Sequence, residues 1–276
     1  MSLNSFGQVS LDTLYYDKDL KGVNSMAFAS YYRVIANAED DGFRKVYRDY
    51  YPSGALAEEG CYTYIDKYDD AKSRFDGECV TYSSSGNVLL RRSYNDGVLD
   101  GEYVKYSVDG DILKHAYYKD GLLDGLYTEY SVDDDRCTQI EYSEGEPRYD
   151  YYYLSNSQGF FSKVRFSDNQ PIYESPSREE QKTEYVKGVA WPYYEKNGIF
   201  LSMSNSYVKD YGKYNEIQVV LENNSMFPIE FDPQRVRVVM TDKKGAKTEL
   251  KVLTSEEYMK KVRRRQNYNM FMNAYG

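Results

Sequence analysis

The stretch Gly101-Glu-Tyr-Val-Lys-Tyr106-Ser-Val-Asp-Gly110 decides the fold, because its glycines and tyrosines recur every 24 residues through the middle of the chain. The positions that keep this spacing are Gly77, Gly101 and Gly125; Gly97, Gly121 and Gly145; Tyr82, Tyr106 and Tyr130; and Tyr94, Tyr118 and Tyr142. A fixed period of this length is typical of repeat proteins, in which each unit is one supersecondary element stacked on its neighbours.

Each repeat is predicted to be a β-hairpin. The run from Tyr103 to Tyr106 is aromatic and β-branched, and Ser107–Gly110 supplies residues suited to a tight turn. A second extended run follows over 112–118, and Lys119-Asp-Gly121 turns the chain again. The apolar residues lack a 3.6-residue spacing, so a helix is disfavoured. Consecutive hairpins should therefore extend a single-layer antiparallel sheet.

The chain is rich in tyrosine, with 33 tyrosines against 11 phenylalanines and one tryptophan. A one-layer sheet has no second layer to bury either face, and tyrosine suits such half-buried positions because its hydroxyl stays in water. The repeat-locked spacing favours this structural role over the stacking of sugars or bases. Where such rings are exposed they can anchor a protein partner; the candidates are Tyr103, Tyr106, Tyr118, Tyr127, Tyr130 and Tyr142.

The repeat motif resembles that of a known family. The matching segments are Gly101-Glu-Tyr103-Val-Lys-Tyr106, Asp109-Gly110-Asp-Ile-Leu113 and Tyr118-Lys-Asp-Gly121-Leu-Leu-Asp-Gly125. They are similar to the MORN-type repeats of bacterial YwqK-family antitoxin component proteins, and the resemblance covers about residues 28–170. It implies a hairpin-repeat fold and a scaffold role, with neutralisation of a partner toxin as the role that the family label implies.

The period ends before the C-terminal part. Residues 175–182 are polar and read as a linker between a repeat domain at 1–174, which includes N-terminal leading strands, and a second domain at 183–276. Short β-like runs separated by turn residues predict a small β-sandwich there. These runs resemble the Ig-like domains of exported bacterial proteins, which implies a location in the cell envelope or outside the cell. A capping box at Thr254–Glu257 predicts a closing helix.

Charge divides the chain in the same place. Residues 1–175 hold 18 Lys and Arg against 31 Asp and Glu, a net charge of −13, whereas residues 176–276 hold 17 against 13, a net charge of +4. An acidic repeat domain repels nucleic acid and anionic membranes, so neither is an expected ligand. The expected partner is a protein, and the acid excess of the sheet favours one with a basic face.

No motif for catalysis stands out. The single histidine, His115, excludes any site that needs several histidines, and the sequence has no P-loop and no GxGxxG motif. The acidic runs at 109–111 and 133–135 fall at predicted turns, where aspartate is common for backbone reasons. We therefore predict a non-enzymatic protein with no catalytic residue, no cofactor and no metal site.

Two questions stay open from the sequence. Cys61, Cys79 and Cys137 have no metal-ligand spacing, and a disulfide between the first two depends on whether the chain is exported. The alternative functional class is an enzyme or carbohydrate-binding protein that uses a tyrosine-rich groove, since a catalytic carboxylate pair can exist among 44 acidic residues.

Overall fold

A computed structural model describes residues 10–37, 45–174, 177–208, 214–232 and 235–275. The chain divides into two compact units, Met1–Ile172 and Tyr173–Gly276. The expected linker at 175–182 falls at the start of the second unit. Its first two residues, 175 and 176, lie outside the described residues, and the first strand of the unit begins at its last residue, Lys182.

The described residues of the first unit form an antiparallel sheet of 15 strands, which confirms the predicted sheet of repeated hairpins. Its strands are β1 Ser10–Tyr16, β2 Gly22–Val23, β3 Tyr31–Asn37, β4 Lys45–Tyr50, β5 Leu56–Tyr64, β6 Arg74–Tyr82, β7 Val88–Asn95, β8 Val98–Tyr106, β9 Ile112–Lys119, β10 Leu122–Leu123, β11 Gly125–Ser131, β12 Arg136–Ser143, β13 Glu146–Pro147, β14 Tyr151–Ser155 and β15 Phe161–Arg165. The order across the sheet is β15-β14-β12-β11-β9-β8-β7-β6-β5-β4-β3-β1-β2, with β10 paired to β9 and β13 to β12. Two short 3-10 helices, Met26–Phe28 and Asp70–Lys72, interrupt the connections.

The first turn of each hairpin has the same geometry in successive units. In Ser107–Gly110 the Gly110 N–H donates to the Ser107 carbonyl at 3.1 Å, and the Ser107 N–H donates to the Asp111 carbonyl at 2.8 Å. Ser83–Gly86 repeats both bonds. The glycine has φ +93° in one turn and +90° in the other, a conformation that glycine adopts without strain. Gly86 and Gly110, which are also 24 residues apart, are therefore required by the backbone conformation of these turns.

The second turn of each unit bonds to the unit before it. Both residues of these two-residue turns have positive φ, as in Asp120-Gly121 with φ +50° and +82°. The N–H of Gly121 donates to the carbonyl of Leu99 at 2.8 Å, and the N–H of Gly97 donates to that of Phe75 at 2.7 Å. Each second turn is thus hydrogen-bonded to the preceding hairpin in the same way, so the offset between neighbouring units is constant.

The N-terminal end of the sheet is closed by residues 65–73, the segment that joins β5 to β6. The N–H of Gly22 in edge strand β2 donates to the carbonyl of Tyr68 at 2.9 Å, and the N–H of Asp70 donates to that of Leu20 at 2.8 Å. The segment therefore crosses one face of β1 to β5 and pairs with the far edge. We call residues 10–73 the closed end and residues 74–143 the open array.

The second unit holds a four-stranded antiparallel sheet and a two-stranded ribbon, followed by a helix. The elements are the 3-10 helix Arg178–Glu180, β16 Lys182–Val186, β17 Val189–Lys196, β18 Ile199–Val208, β19 Tyr214–Asn223, β20 Val238–Thr241, β21 Lys247–Leu250 and α1 Ser255–Tyr275. The capping box is present, because the Glu257 N–H donates to Thr254 Oγ1 at 3.2 Å and the Thr254 N–H to Glu257 Oε2 at 3.1 Å. The Ig-like assignment of this unit stays a prediction.

Candidate functional site

Four of the six candidate tyrosines lie on one face of the open array. The rings of Tyr103 and Tyr118 are 5.8 Å apart, and those of Tyr127 and Tyr142 are 5.9 Å apart. The Lys114 ammonium joins the two pairs, since it lies 5.6 Å from the Tyr103 ring centre and 4.7 Å from that of Tyr127. All four side chains are half-buried. We call this side of the sheet, defined by these four rings, the tyrosine face.

The other two candidates, Tyr106 and Tyr130, lie on the opposite face. His115 is directly opposed by Val104 on one neighbouring strand and by Thr128 on the other. Tyr106 follows Val104 by two residues, and Tyr130 follows Thr128 by two. Side chains alternate along a strand, and His115 follows the lysine of the tyrosine face, so this whole set points the other way. Tyr130 is 43% exposed. The six candidates therefore form two surfaces rather than one.

A packing role accounts for the tyrosines at positions 94, 118 and 142. Each directly opposes a repeat-locked glycine on the neighbouring strand; the pairs are Gly77 with Tyr94, Gly101 with Tyr118 and Gly125 with Tyr142. The aromatic ring covers a backbone position that has no side chain of its own. The residue equivalent to Tyr103 in the preceding unit is Cys79, so Tyr103 and Tyr127 are the rings of this face that the repeat does not require.

Three basic side chains lie among these rings. Lys105 directly opposes Lys114, and Arg92 directly opposes Tyr103. Neither lysine makes an ion pair or a side-chain hydrogen bond with any residue in the described part of the chain. Arg92 Nη2 bonds Glu58 Oε2 at 2.7 Å, while its buried Nε has no partner among the described residues. We call Arg92, Lys105 and Lys114 the basic centre.

The acidic residues of the repeats concentrate at the turns. Asp76 Oδ1 accepts the N–H of Asp96 at 3.4 Å, and Asp100 Oδ2 accepts the N–H of Asp120 at 3.3 Å, so these acids complete the second turns. The composition predicts an acidic sheet, but the structure places these acids at its edges and gives the tyrosine face three basic side chains beside two carboxylates, Glu58 and Glu129. Sequence counting could not separate these surfaces.

The closed end encloses a buried ion cluster that the sequence did not reveal. Arg33 is 1% exposed and bonds Asp49 through Nε at 2.7 Å and Nη2 at 2.8 Å. The same guanidinium bonds both carboxylate oxygens of Asp70, which also accepts the Tyr31 hydroxyl proton at 2.7 Å. The guanidinium carbon lies 4.5 Å from the Tyr47 ring centre. One cation thus holds two buried acids, one of them on the closing segment.

A second polar network separates the ion cluster from the basic centre. Glu58 Oε1 accepts the Tyr47 hydroxyl at 2.7 Å, and Oε2 accepts the Thr81 hydroxyl at 2.6 Å and the bond from Arg92. Its carboxylate is therefore saturated by neighbours on β4, β6 and β7. The arrangement fixes the side chains of Tyr47, Thr81 and Arg92 around one carboxylate.

Burial shifts the pKa values of several groups in the closed end and of Cys79, which packs against Tyr47 and Tyr62 at the start of the open array. Burial raises the pKa of Asp49 to about 6, although the bonds from Arg33 act in the opposite direction. Burial also raises the pKa of the Cys79 thiol to about 11, so the thiol is protonated at neutral pH and a poor nucleophile. The pKa of the Tyr47 hydroxyl is raised by burial and by the Glu58 carboxylate.

The residues with the best-known reactive side chains are dispersed. His115 Nε2 lies 2.8 Å from Glu102 Oε1 on the face opposite the tyrosines. Cys61 and Cys79 are both free, and their side chains lie on opposite faces because Cys79 opposes the neighbouring Gly60. Within the described ranges no group of three or more His, Cys, Asp or Glu residues is placed to hold a metal ion.

Comparisons with known proteins add no relative: no family model, no curated protein and no solved structure matches this chain. None of the helices in the described residues has the length and apolar character needed to span a membrane.

Proposed function

We propose that the protein is a non-enzymatic repeat scaffold that binds a protein partner through the tyrosine face. The observation that carries this proposal is the pair Tyr103 and Tyr127, which lie on a face that no other described element of the first unit covers and are not required by the Gly–Tyr packing of the repeat. Tyrosine contributes a large contact area at a low entropic cost, which makes it a frequent anchor at interfaces.

The charge distribution supports a protein partner that is basic around its contact surface. Residues 1–175, which include the first unit, have a net charge of −13, and acids such as Asp76 and Asp100 bond the turns at the rim of the tyrosine face. Electrostatic steering should accelerate association at low salt, and added salt should slow it. The same charge disfavours nucleic acid and anionic membranes as partners.

Binding to a toxin is one form of this function, carried by the family resemblance alone. The Ig-like character proposed for the second unit supports a location in the cell envelope or outside the cell. The carbohydrate-binding or hydrolytic alternative has less support at Glu58, because both of its carboxylate oxygens are hydrogen-bonded. Glu129, which is exposed on the same face, accepts the Tyr127 hydroxyl at 2.9 Å.

The test is quantitative capture of partners from the source cell by the full chain and two variants. Tyr103→Ala with Tyr127→Ala should abolish capture of a specific protein, whereas Tyr130→Ala on the opposite face should retain it. Melting temperatures of both variants report whether the fold persists. Equal capture by all three chains, or turnover of a sugar, ester or peptide by the purified protein, would overturn the proposal.

A further inference from the structure

The two larger sheets of the protein differ in how their edges are protected. In the first unit, chain segments bond to both outer strands. The Gly22 N–H of β2 donates to the Tyr68 carbonyl at 2.9 Å, and the Lys163 carbonyl of β15 accepts the Ile172 N–H at 2.8 Å. In the second unit, β19 is an outer strand whose free side has no backbone partner among the described residues. An unpaired edge of this kind is a template for another strand.

Strand β19 carries none of the features that usually prevent such pairing. It has ten residues, Tyr214–Asn223, which pair with β18 in a continuous register without a bulge. It contains no lysine and no proline, and Val219 and Val220 are exposed. The opposite edge of the same sheet, β16, has only five residues and begins with Lys182. Short length and a lysine protect that edge, so β19 is the vulnerable one.

The alternation of hydrogen bonds along β19 identifies the groups on its free side. The Asn224 N–H donates to the Gly198 carbonyl at 2.7 Å, so this pair and every second pair before it direct their backbone groups between β18 and β19. The backbone N–H and carbonyl groups of Ile217, Val219 and Leu221 therefore point away from β18. Their side chains share one face of the sheet and are all apolar.

We infer that β19 pairs antiparallel with β19 of a second copy of this chain, so that the four-stranded sheets of two copies become one continuous sheet. The inference goes beyond the proposed function, because it concerns a surface of the other unit. Two identical strands related by a two-fold axis satisfy each other and leave no further unprotected edge. Pairing of β19 with β16 of a second copy would instead generate an open chain of molecules, and the short edge with its lysine disfavours it.

The charges of β19 select the register of this pairing. With the two-fold axis at Val219, Glu216 of each copy would oppose Glu222 of the other, and like charges would meet twice. An axis at Gln218 would set each Glu216 carboxylate against the apolar Val220. With the axis at Val220, Gln218 opposes Glu222, so an amide faces each carboxylate, and the apolar residues beside the axis face one another. We therefore place the axis at Val220.

The first experiment is sedimentation velocity of the full chain over a range of concentrations. One pair of strands is a small interface, so the dimer should be weak. We expect an equilibrium between the single chain and a species of twice its mass, with half-dissociation between about 1 and 100 μM.

A proline substitution tests the strand pairing. Val219→Pro leaves the bonds between β18 and β19 intact, because the Val219 N–H points to the free side. By symmetry one hydrogen bond is lost from each copy, which should weaken the dimer at least about a hundredfold. Thr183→Pro is the matched control on β16, where Val186 and Val189 close a two-residue turn and the alternation directs the Thr183 N–H outward. It should leave the dimer unchanged.

A charge swap at the axis tests the register. Val220→Lys sets two lysines opposite each other, and Val220→Glu sets two glutamates opposite each other, so either variant alone should dimerise poorly. An equimolar mixture should associate about threefold to tenfold more tightly than either variant alone, because unlike charges then meet at the axis. The melting temperature of each variant establishes that it is folded.

The inference is overturned if the full chain sediments as a single copy at every concentration, if Val219→Pro and Thr183→Pro dimerise alike, or if the mixture associates no more tightly than its components. A chain that stays single but loses capture of a partner on Val219→Pro would show that a strand of another protein occupies this edge, and self-pairing would be excluded. Failure of the proposed function is distinguishable, since it is read from Tyr103 and Tyr127 in the first unit.

Discussion

The closed end and the open array belong to one antiparallel sheet, yet they satisfy their charges in opposite ways. In the closed end a chain segment covers one face, and the cation beneath it, Arg33, is bonded to two acids and is 1% exposed. In the open array no described segment of the first unit covers the corresponding face, and Lys114 lies between Lys105 on one neighbouring strand and the exposed Glu129 on the other. The charged groups of the closed end are therefore buried and paired, while the aromatic rings and charged side chains of the open array remain accessible to a partner.

This difference indicates that the two regions of the first unit have different roles, one in stability and one in binding. Buried ions tolerate no loss of a partner, because an unpaired charge in a low-dielectric interior costs far more than an exposed one. A half-buried tyrosine face tolerates variation between units, as the change from Cys79 to Tyr103 shows. The closed end therefore fixes the start of the sheet, and the open array is where residues can vary for binding.

The largest expected effect comes from removing the buried cation. Arg33→Met leaves Asp49 and Asp70 buried without their counterion, and it should lower the free energy of unfolding by about 3–5 kcal/mol. Arg91→Met is the matched control, since Arg91 forms an exposed pair with Glu78 at 3.1 Å, worth at most about 1 kcal/mol. Urea-dependent hydrogen exchange of peptides from β1 to β5 measures the free energy of unfolding of the closed end in both variants.

The same experiment has an internal check. Adding Asp49→Asn and Asp70→Asn to Arg33→Met leaves no charge buried and should recover part of the lost stability. If Arg33→Met is no more destabilising than Arg91→Met, the closed end does not depend on its ion cluster.

The stability of the protein should depend on pH because Asp49 and Asp70 share one cation, Arg33. The pKa of Asp49 is raised from 3.8 to about 6 in the folded protein, so the native state binds a proton more tightly than the unfolded state between these values. The contribution of Asp49 to stability is thus greatest at low pH and declines by at most about 3 kcal/mol as the pH rises from about 4 to about 6.

Comparison of the wild type with Asp49→Asn isolates this contribution, since other carboxyl groups with lowered pKa give the opposite slope in both proteins. The difference in unfolding free energy should change across this window and level off above it. A carboxyl ¹³C titration of Asp49 with a midpoint at or below pH 4 would contradict the assignment.

A third effect concerns the closure itself. A Cβ at Gly22 would lie 2.1 Å from the carbonyl oxygen of Lys67, so Gly22→Ala should force residues 65–73 away from β2, at about 1–3 kcal/mol. Gly86→Ala is the control, with open space around its Cβ and a cost of about 1 kcal/mol from its φ of +90°. Hydrogen exchange should locate the first loss at 65–73 and the second at the turn of β6 and β7. Similar exchange maps would refute this account of the closure.

The sequence predicts these two regions to very different extents. The open array follows from glycine spacing, because turns such as Ser107–Gly110 need residues that adopt positive φ. The closed end does not, since Arg33 lies in a strand between Tyr32 and Val34 and looks like an ordinary solvent-facing position. Its burial depends on a cover that comes from Asp70, 37 residues later. No local pattern encodes that contact.

The basic centre could not be predicted from the sequence because it depends on a β-bulge. Tyr106 opposes Ile112, and simple counting along the strands from that pair would place Lys105 opposite Leu113. A β-bulge between Lys105 and Tyr106 shifts the register by one residue and brings Lys114 opposite Lys105 instead. Because a one-residue shift changes which side chains share a face, the face composition needs the structure.

The smallest expected effect measures the repulsion that distinguishes the open array. A double-mutant cycle with Lys105→Thr, Lys114→Thr and the double variant isolates the interaction between the two side chains, since Thr is the residue at the position equivalent to Lys105 in the preceding unit, Thr81. We expect an unfavourable coupling of about 0.2–1 kcal/mol between the lysines at low ionic strength. At about 1 M salt the coupling should fall towards zero, because the ammonium groups are screened over about 3 Å. The cycle cancels the loss of the contact between Lys114 and its two rings, which each single variant reports by itself. A favourable coupling, or one that salt does not change, would mean that the two lysines do not repel each other across the open array.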